Sequence, residues 1–204
     1  FGMLCSEREL GISDLHSGLM ELPLEAPVGE DIRHFLKLDD NIIDLDLTPN
    51  RSDCLGIVGL ARETGLINEI DVSYPEDRFV TPIVEDIFPV ELGDPQTCPR
   101  FVSRVLRNIN INALTPLGMK EKLRRSGIRS IDPVVDVTNY VMLELNQPMH
   151  AYDLNQLKEK IVVRQSKEGE RITLLNGEEV ILNGETLLIT DGNGPIGIGG
   201  VMGG

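Results

Sequence analysis

His150 lies in a short segment, residues 147–153 (QPMHAYD), that could carry acid–base chemistry. An unperturbed imidazole titrates near pH ~6.5, so it can accept or donate a proton at cellular pH. Pro148 stiffens the turn that precedes the histidine. The alternative is a hydrogen-bonded structural histidine, since nothing beside it in sequence supplies the other members of a Ser-His-Asp arrangement. The segment therefore gives one candidate for proton transfer and leaves its role open.

A cluster of cations could contact nucleic acid. Five basic side chains fall within ten residues at the end of a predicted helix and in the loop after it: Lys120, Lys122, Arg124, Arg125 and Arg129. Such a cluster suits phosphate or an RNA end, although spacing alone favours a solvated helix face whose cations oppose the C-terminal dipole. Arg129 differs because it lies past the helix, between two isoleucines, where an unpaired guanidinium is costly. We expect it to meet an anion, which is Asp132, Asp136 or a ligand phosphate.

Two further features could line a site. Thr138 and Asn139 are polar residues within an apolar helical pattern, where they either project into a site or bond back to the backbone. Residues 192–204 contain seven glycines, which allow close backbone approach and could present N–H groups to a carbonyl oxygen or phosphate. The segment lacks the spacing of a P-loop, and a tightly packed strand and turn is its simpler interpretation.

Periodicity and breaker residues predict the elements that must position these side chains. Helices are expected from residue 52 or 53 to about residue 66 with Gly65 as a stop, from 116 to 125 with Thr115 as the cap, and from 134 to 145 after Asp132-Pro133. Strands are expected at residues 42–47, 79–84, 100–109, 161–164, 186–190 and 195–201. Asn176-Gly177 predicts a hairpin closed by a tight primed turn.

Composition separates the two halves of the chain. The 204 residues carry a net charge of −14, of which residues 1–99 hold −15 and residues 100–204 hold +1. The acidic balance argues against non-specific nucleic-acid binding by the whole chain. Five prolines between residues 75 and 99 predict a linker, which gives three parts: residues 1–75, 76–99 and 100–204.

The same residue counts bear on the environment of the protein. Three cysteines without a CxxC spacing predict neither zinc nor disulfides and a reducing, cytoplasmic compartment. No apolar run approaches the ~20 residues of a membrane span. Because the chain lacks an initiator methionine and stops in a glycine run, we expect a piece of a longer protein.

Five segments, in this order, resemble the beta subunit of bacterial phenylalanine–tRNA ligase, a class II aminoacyl-tRNA synthetase. They are residues 48–55 (TPNRSDCL), 123–132 (LRRSGIRSID), 135–141 (VDVTNYV), 147–153 (QPMHAYD) and 199–204 (GGVMGG). The resemblance covers essentially the whole chain. It implies an α+β fold in which residues 100–204 form the editing module, a mixed sheet with packed helices. A smaller N-terminal segment precedes it, and residues 1–24 resemble the exit from an oligonucleotide-binding (OB) domain.

The resemblance implies post-transfer editing, the hydrolysis of tyrosine wrongly attached to tRNA-Phe. The family enzyme is an α2β2 tetramer that attaches phenylalanine to tRNA-Phe with ATP and magnesium. Its synthetic site lies on the alpha subunit, so no cofactor and no metal site are expected in this fragment. The implied partners are the mischarged 3′ end of tRNA-Phe and the alpha subunit, without a membrane.

The resemblance also assigns roles to the candidate residues. It implies that the catalytic residues are His150, Asn139 and Thr138, and that the substrate-binding residues are Arg129, Pro148, Gly199, Gly200 and Gly203. His150 and Asn139 would position the aminoacyl ester and its water, Arg129 would meet the tRNA 3′ end, and no covalent nucleophile is assigned. The acidic residue that receives the tyrosine hydroxyl in this family follows the GGVMGG stretch, beyond residue 204.

A non-catalytic scaffold or subunit-interface module is the alternative. The charge of residues 1–99 and the predicted linker favour it for that half of the chain. A plain RNA-binding module is a third interpretation, which the net charge disfavours. Burial of His150 among core side chains would indicate the scaffold.

Overall fold

The computed structural model describes residues 2–13, 18–76 and 78–204. Phe1 and residues 14–17, in the segment predicted as an OB-domain exit, and Asp77 of the predicted linker lie outside the described residues. The chain divides into two compact units, Phe1–Asp44 and Leu45–Gly204. This division differs from the boundaries predicted at residues 75 and 99.

The first unit consists mostly of turns. Its one helix among the described residues is α1 (Ile32–Phe35), where the Asp31 carboxylate accepts a hydrogen bond from the Arg33 N–H at 2.8 Å. Ile12 and Leu36 are buried.

Three α-helices pack together in the second unit, within the described residues. They are α2 (Ile57–Asn68), α3 (Leu117–Arg125) and α4 (Pro133–Leu145), and a 3₁₀ turn (Ser52–Leu55) precedes α2. α4 packs against both α2 and α3. The side-chain amide of Asn146 also donates to the Ser52 carbonyl at 2.9 Å. These contacts place α2 in the same unit as α4, although the sequence assigned the two helices to different parts.

The predicted start of α4 is confirmed. Asp132 is its N-cap, and one carboxylate oxygen accepts hydrogen bonds from the N–H groups of Val134 (2.9 Å) and Val135 (3.1 Å). Pro133 occupies the first helical position, where its missing N–H costs nothing. Asn146 ends the helix in a left-handed conformation, with φ of 56°.

Two predicted helix ends are wrong. Gly65 does not stop α2, which continues to Asn68. The glycine allows close packing instead, since a Cβ at position 65 would lie 2.5 Å from Cγ2 of Val72. Thr115 does not cap α3. Its hydroxyl donates to the Asp136 carboxylate at 2.5 Å instead, and Pro116 is an N-cap without a side-chain hydrogen bond.

The second unit also contains β-strands, which are β1 (Val90–Leu92), β2 (Ile161–Gln165), β3 (Glu168–Thr173), β4 (Glu179–Asn183), β5 (Leu187–Thr190), β6 (Pro195–Ile198) and β7 (Met202–Gly203). Five of them form a mixed sheet with the order β1-β2-β5-β6-β7, and β3 and β4 form a separate hairpin. β1 and β2 are parallel, and the other neighbours are antiparallel. With the packed helices, this confirms the predicted α+β class.

The strands predicted at residues 42–47, 79–84 and 100–109 are wrong, since those residues belong to no strand. Alternation predicts a strand that buries one face, but Ile43, Ile83 and Val102 are 78%, 96% and 74% exposed. β1 lies instead inside the predicted linker, because Val90 finds a parallel partner in Ile161.

The predicted hairpin of β3 and β4 is confirmed, but its turn differs. The N–H of Leu174 donates to the Glu178 carbonyl at 2.8 Å, which leaves a three-residue loop. Within that loop only Gly177 has a positive φ, 86°, so it is not a primed two-residue turn. Leu175 in the loop donates its N–H to the Gly203 carbonyl at 3.0 Å, which ties the hairpin to β7.

The aliphatic core lies between the hairpin and the sheet. Ile172 and Leu182 of the hairpin are buried against Leu188 of β5, and partly buried apolar side chains surround them: Leu174, Val180 and Ile198. Within the part of the chain that the structure describes, no helix is both long and apolar enough to cross a membrane.

Candidate functional site

The imidazole of His150 lies directly against the backbone of Gly203. A Cβ added to Gly203 would lie 2.6 Å from Cε1 of His150 and 3.2 Å from its Nε2. The same Cβ would lie 3.1 Å from Cδ1 of Leu175, in the hairpin loop. Only glycine at position 203 therefore leaves room for the ring in this place. The loop after α4 and the edge strand β7 together build this part of the site.

Tyr152 stands beside His150 on the same glycine strands. The two ring centroids are 4.4 Å apart, with an angle of 58° between the ring planes. The Tyr152 hydroxyl oxygen would lie 3.6 Å from a Cβ on Gly197, which is the register partner of Gly203. Sequence reasoning gave Tyr152 no role. The sequence signal that could have identified Tyr152 is its spacing from His150, since residues i and i+2 of an extended segment point to the same face.

Partial burial adjusts the protonation of both rings. His150 keeps one side open to solvent while its other side is covered. Burial lowers the pKa of His150 below its ordinary value of 6.5, so the ring is neutral at pH 7. Burial raises the pKa of Tyr152 above 10.0, so its hydroxyl keeps its proton. The pair thus presents a proton acceptor and a hydrogen-bond donor side by side.

The structure separates the two polar residues of α4. The Thr138 hydroxyl donates to the Val135 carbonyl at 2.8 Å, which is bonding back to its own helix. Asn139 is half-buried, and its side-chain amide makes no hydrogen bond within the described residues. Of the two, Asn139 has the amide still available to a ligand.

Arg129 is exposed and forms no ion pair or hydrogen bond through its side chain within the described ranges. Both carboxylates considered as its partners bind other donors. Asp132 caps α4, and Asp136 accepts from Thr115, Ser130 and the Ile131 N–H. Because the Arg129 side chain is exposed, water can solvate it, so the structure does not require an anion there and binding of a ligand phosphate stays a prediction.

The other cations of the cluster are mostly bound within the helices. Arg124 makes two hydrogen bonds to Glu121, at 2.9 and 3.1 Å, and Arg125 lies 3.6 Å from the same carboxylate. Lys122 donates to the Tyr140 hydroxyl at 3.2 Å. These contacts agree with a structural helix face for residues 117–125 rather than a phosphate site.

The remaining candidates lie in turns. Gly199 donates its N–H to the Leu187 carbonyl at 2.8 Å, and Gly200 adopts a φ of 73° between β6 and β7 with open space around it. Pro148 is exposed before His150. The glycine segment is therefore a strand, a turn and a second strand, which is its simpler interpretation.

The predicted site residues fall into two groups within the second unit. Thr138 and Asn139 lie in α4 and Arg129 lies in the loop between α3 and α4, whereas the others belong to the sheet, its turns and the loop that leads to it: Pro148, His150, Gly199, Gly200 and Gly203. In the described part of the chain, no hydrogen bond, ion pair or ring contact joins the groups. A substrate at this site would have to bridge them.

The described residues contain no group of three or more His, Cys, Asp or Glu side chains that could hold a metal ion.

Comparison with known proteins identifies relatives of this chain. Residues 97–204 match the B3/4 domain family. The chain is 56% identical over 203 residues to the phenylalanine–tRNA ligase beta subunit of Pectobacterium atrosepticum. It is 56% identical to that of Dickeya dadantii and 57% identical to that of Pseudoalteromonas translucida. Each match covers 100% of this chain and 26% of the relative, so the chain spans about a quarter of the length of these relatives.

Proposed function

Because the chain belongs to the B3/4 domain family, we propose that it carries the editing site of a phenylalanine–tRNA ligase beta subunit. The reaction is hydrolysis of the ester that joins tyrosine to the 3′ end of tRNA-Phe. Residues 100–204 form the editing module in this proposal. The complete enzyme would attach phenylalanine with ATP and magnesium on an alpha subunit, as a cytoplasmic α2β2 tetramer.

The chemistry of the two amino acids explains why a second site is needed. Tyrosine differs from phenylalanine by one hydroxyl, and an apolar pocket rejects an added hydroxyl by only about a hundredfold. A separate hydrolytic site that binds the hydroxyl raises fidelity, since phenylalanine would leave its polar groups unpaired.

The observation that carries the proposal is the imidazole of His150, which lies on the backbone of Gly203 and beside the Tyr152 ring, in a partly buried place that favours its neutral form. A neutral imidazole can accept a proton from a water molecule as its oxygen attacks the ester carbonyl carbon. The bond from that carbon to the ribose oxygen then breaks, and the ribose oxygen takes a proton. No covalent nucleophile is required.

The other residues bind and orient the substrate in this proposal. Arg129 is exposed and has no side-chain partner among the residues that the structure describes, which suits a phosphate of the tRNA 3′ end. The unbonded amide of Asn139 orients the ester and its water. The Thr138 hydroxyl already donates its hydrogen bond to the Val135 carbonyl, so its oxygen can take part only as an acceptor. Pro148 and the turn glycines Gly199 and Gly200 border the bound aminoacyl group.

The experiment measures deacylation of tRNA-Phe mischarged with tyrosine by the complete enzyme that carries this chain. His150→Ala and Arg129→Ala should each slow deacylation, because one loses the proton acceptor and the other the phosphate contact. Two matched controls come from exposed residues outside the site: His34→Ala, whose side chain is 84% exposed, and Arg78→Ala, whose side chain is 88% exposed. Wild-type rates in both site variants would refute the assignment.

A scaffold or subunit-interface role is the second candidate, for residues 45–99. The observation that favours it is the apolar surface of the extended segment after α2. Phe79, Ile83 and Ile87 are 83%, 96% and 87% exposed, and such side chains mark interaction surfaces when they occur together. Substituting all three with serine should weaken subunit assembly without changing the rate per assembled enzyme. Analytical ultracentrifugation and the deacylation assay together separate the two roles.

A further inference from the structure

Asp136 is a fully buried carboxylate, with 0% of its surface exposed. It lies in the first turn of α4 and accepts three hydrogen bonds. The hydroxyls of Thr115 and Ser130 both donate to one carboxylate oxygen, at 2.5 and 2.6 Å, and the Ile131 N–H donates to the other at 2.9 Å. A charge in this position is costly unless each oxygen is satisfied, and here both are.

The carboxylate stays ionised at neutral pH. Burial by itself raises the pKa of Asp136. The hydrogen bonds from Ser130, Thr115 and Ile131, with the charge of Lys120, outweigh this effect, so the pKa lies below its ordinary value of 3.8. An ionised carboxylate only accepts, so it fixes the direction of all three donors. The three hydrogen bonds are charge-assisted and stronger than neutral ones.

Two of these donors belong to the residues that follow Arg129. On the other side of Arg129, the Ile128 N–H donates to the Leu123 carbonyl of α3 at 2.9 Å. The backbone of Arg129 is therefore anchored before and after it, while its side chain is exposed and makes no ion pair or hydrogen bond to any residue in the described ranges. This arrangement fixes the backbone from which the Arg129 side chain extends, between α3 and α4.

We propose that Asp136 is a positioning residue that holds Arg129 ready for the phosphate of the substrate, through Ser130 and Ile131. The inference rests on the proposed function, in which Arg129 binds the tRNA 3′ end. Fixing the loop before binding lowers the ordering cost that a mobile loop would add to the binding step.

The competing explanation is that Asp136 only joins α3 to α4. The structure offers a matched pair of variants that separates the two, because two hydroxyls donate to the same oxygen of Asp136. Ser130 is adjacent to Arg129, whereas Thr115 lies before α3 and is not part of the loop. Ser130→Ala and Thr115→Val each remove one such hydrogen bond, and neither removes the buried carboxylate itself.

The experiment measures kcat and KM for deacylation of Tyr-tRNA-Phe by the complete enzyme, with thermal unfolding of each variant. Ser130→Ala should raise KM about tenfold with little change in kcat, and Ser130→Thr should restore it. Thr115→Val should lower the unfolding temperature about as much as Ser130→Ala does, but it should leave KM unchanged. In an Arg129→Ala background, Ser130→Ala should change KM by less than about twofold.

The outcomes are distinguishable. A wild-type enzyme that does not deacylate Tyr-tRNA-Phe would overturn the proposed function and this inference with it. An active wild-type enzyme in which Ser130→Ala and Thr115→Val change KM equally would overturn the inference alone. The inference would also be overturned if Ser130→Ala changed KM as much in the Arg129→Ala background as in the wild-type background.

Discussion

Replacing Gly203 by alanine should reduce editing far more than it reduces stability. The new Cβ would lie 2.6 Å from Cε1 of His150, whereas carbon atoms in contact normally stay about 3.5–4.0 Å apart. The imidazole must therefore move by about 1 Å. A misplacement of that size in a reacting group costs on the order of 10²-fold in rate. Since one side of the ring faces solvent, it can move without disturbing the core, and the stability cost should stay near or below ~1 kcal/mol.

Gly197→Ala is the matched control. Gly197 and Gly203 are register partners in the same ladder, but a Cβ at position 197 meets its nearest neighbours at 3.6 Å, an ordinary contact distance. Single-turnover deacylation of Tyr-tRNA-Phe by both variants, with urea denaturation of each, provides the comparison. Equal rates in the Gly203 and Gly197 variants would show that the position of His150 does not matter, and would refute the reasoning.

Three further predictions concern ionisable groups. Because burial lowers the pKa of His150 below 6.5, the acid limb of kcat/KM for deacylation should centre below pH 6.5 and disappear in His150→Ala; a centre above 6.5 would contradict it. The hydrogen bonds from Arg164 lower the pKa of Glu170 from 4.5 to about 2, so this stabilisation is fully present above pH 4.5 and is lost as pH falls toward 2. The free energies of unfolding of wild type and Glu170→Gln, from urea denaturation, should therefore differ by roughly 3 kcal/mol at pH 7 and converge near pH 2; a constant difference would argue against the pair. Asp136→Ala leaves three donors without their acceptor and should lower the free energy of unfolding by about 2–4 kcal/mol, also by urea denaturation. An unchanged midpoint would mean that water replaces the carboxylate.

Local signals predicted the elements whose partners lie nearby in sequence. Asp132-Pro133 fixed the start of α4, because a cap and a proline act within one turn. Asn176-Gly177 predicted the hairpin for the same reason, but the turn has a three-residue loop, and Leu175 in that loop bonds to Gly203 farther along the chain. The local sequence predicted strands both at residues 161–164, which form β2, and at residues 100–109. Only β2 has neighbouring strands, and a strand requires a partner.

The candidate site divides in the same way. Residue types by themselves determined that His150 could transfer a proton, that the glycines within residues 199–204 allow close approach, and that Arg129 carries a cation that could bind an anion. Tertiary structure decided that the His150 ring rests on Gly203 beside Tyr152, that Thr138 bonds to its own helix, and that Asp136 is fully buried although Val137 next to it is 46% exposed. Chemistry of a side chain is local, and so the sequence carries it. Burial and contact arise only when distant segments pack, and periodicity along one element contains no information about which of its faces another element will cover.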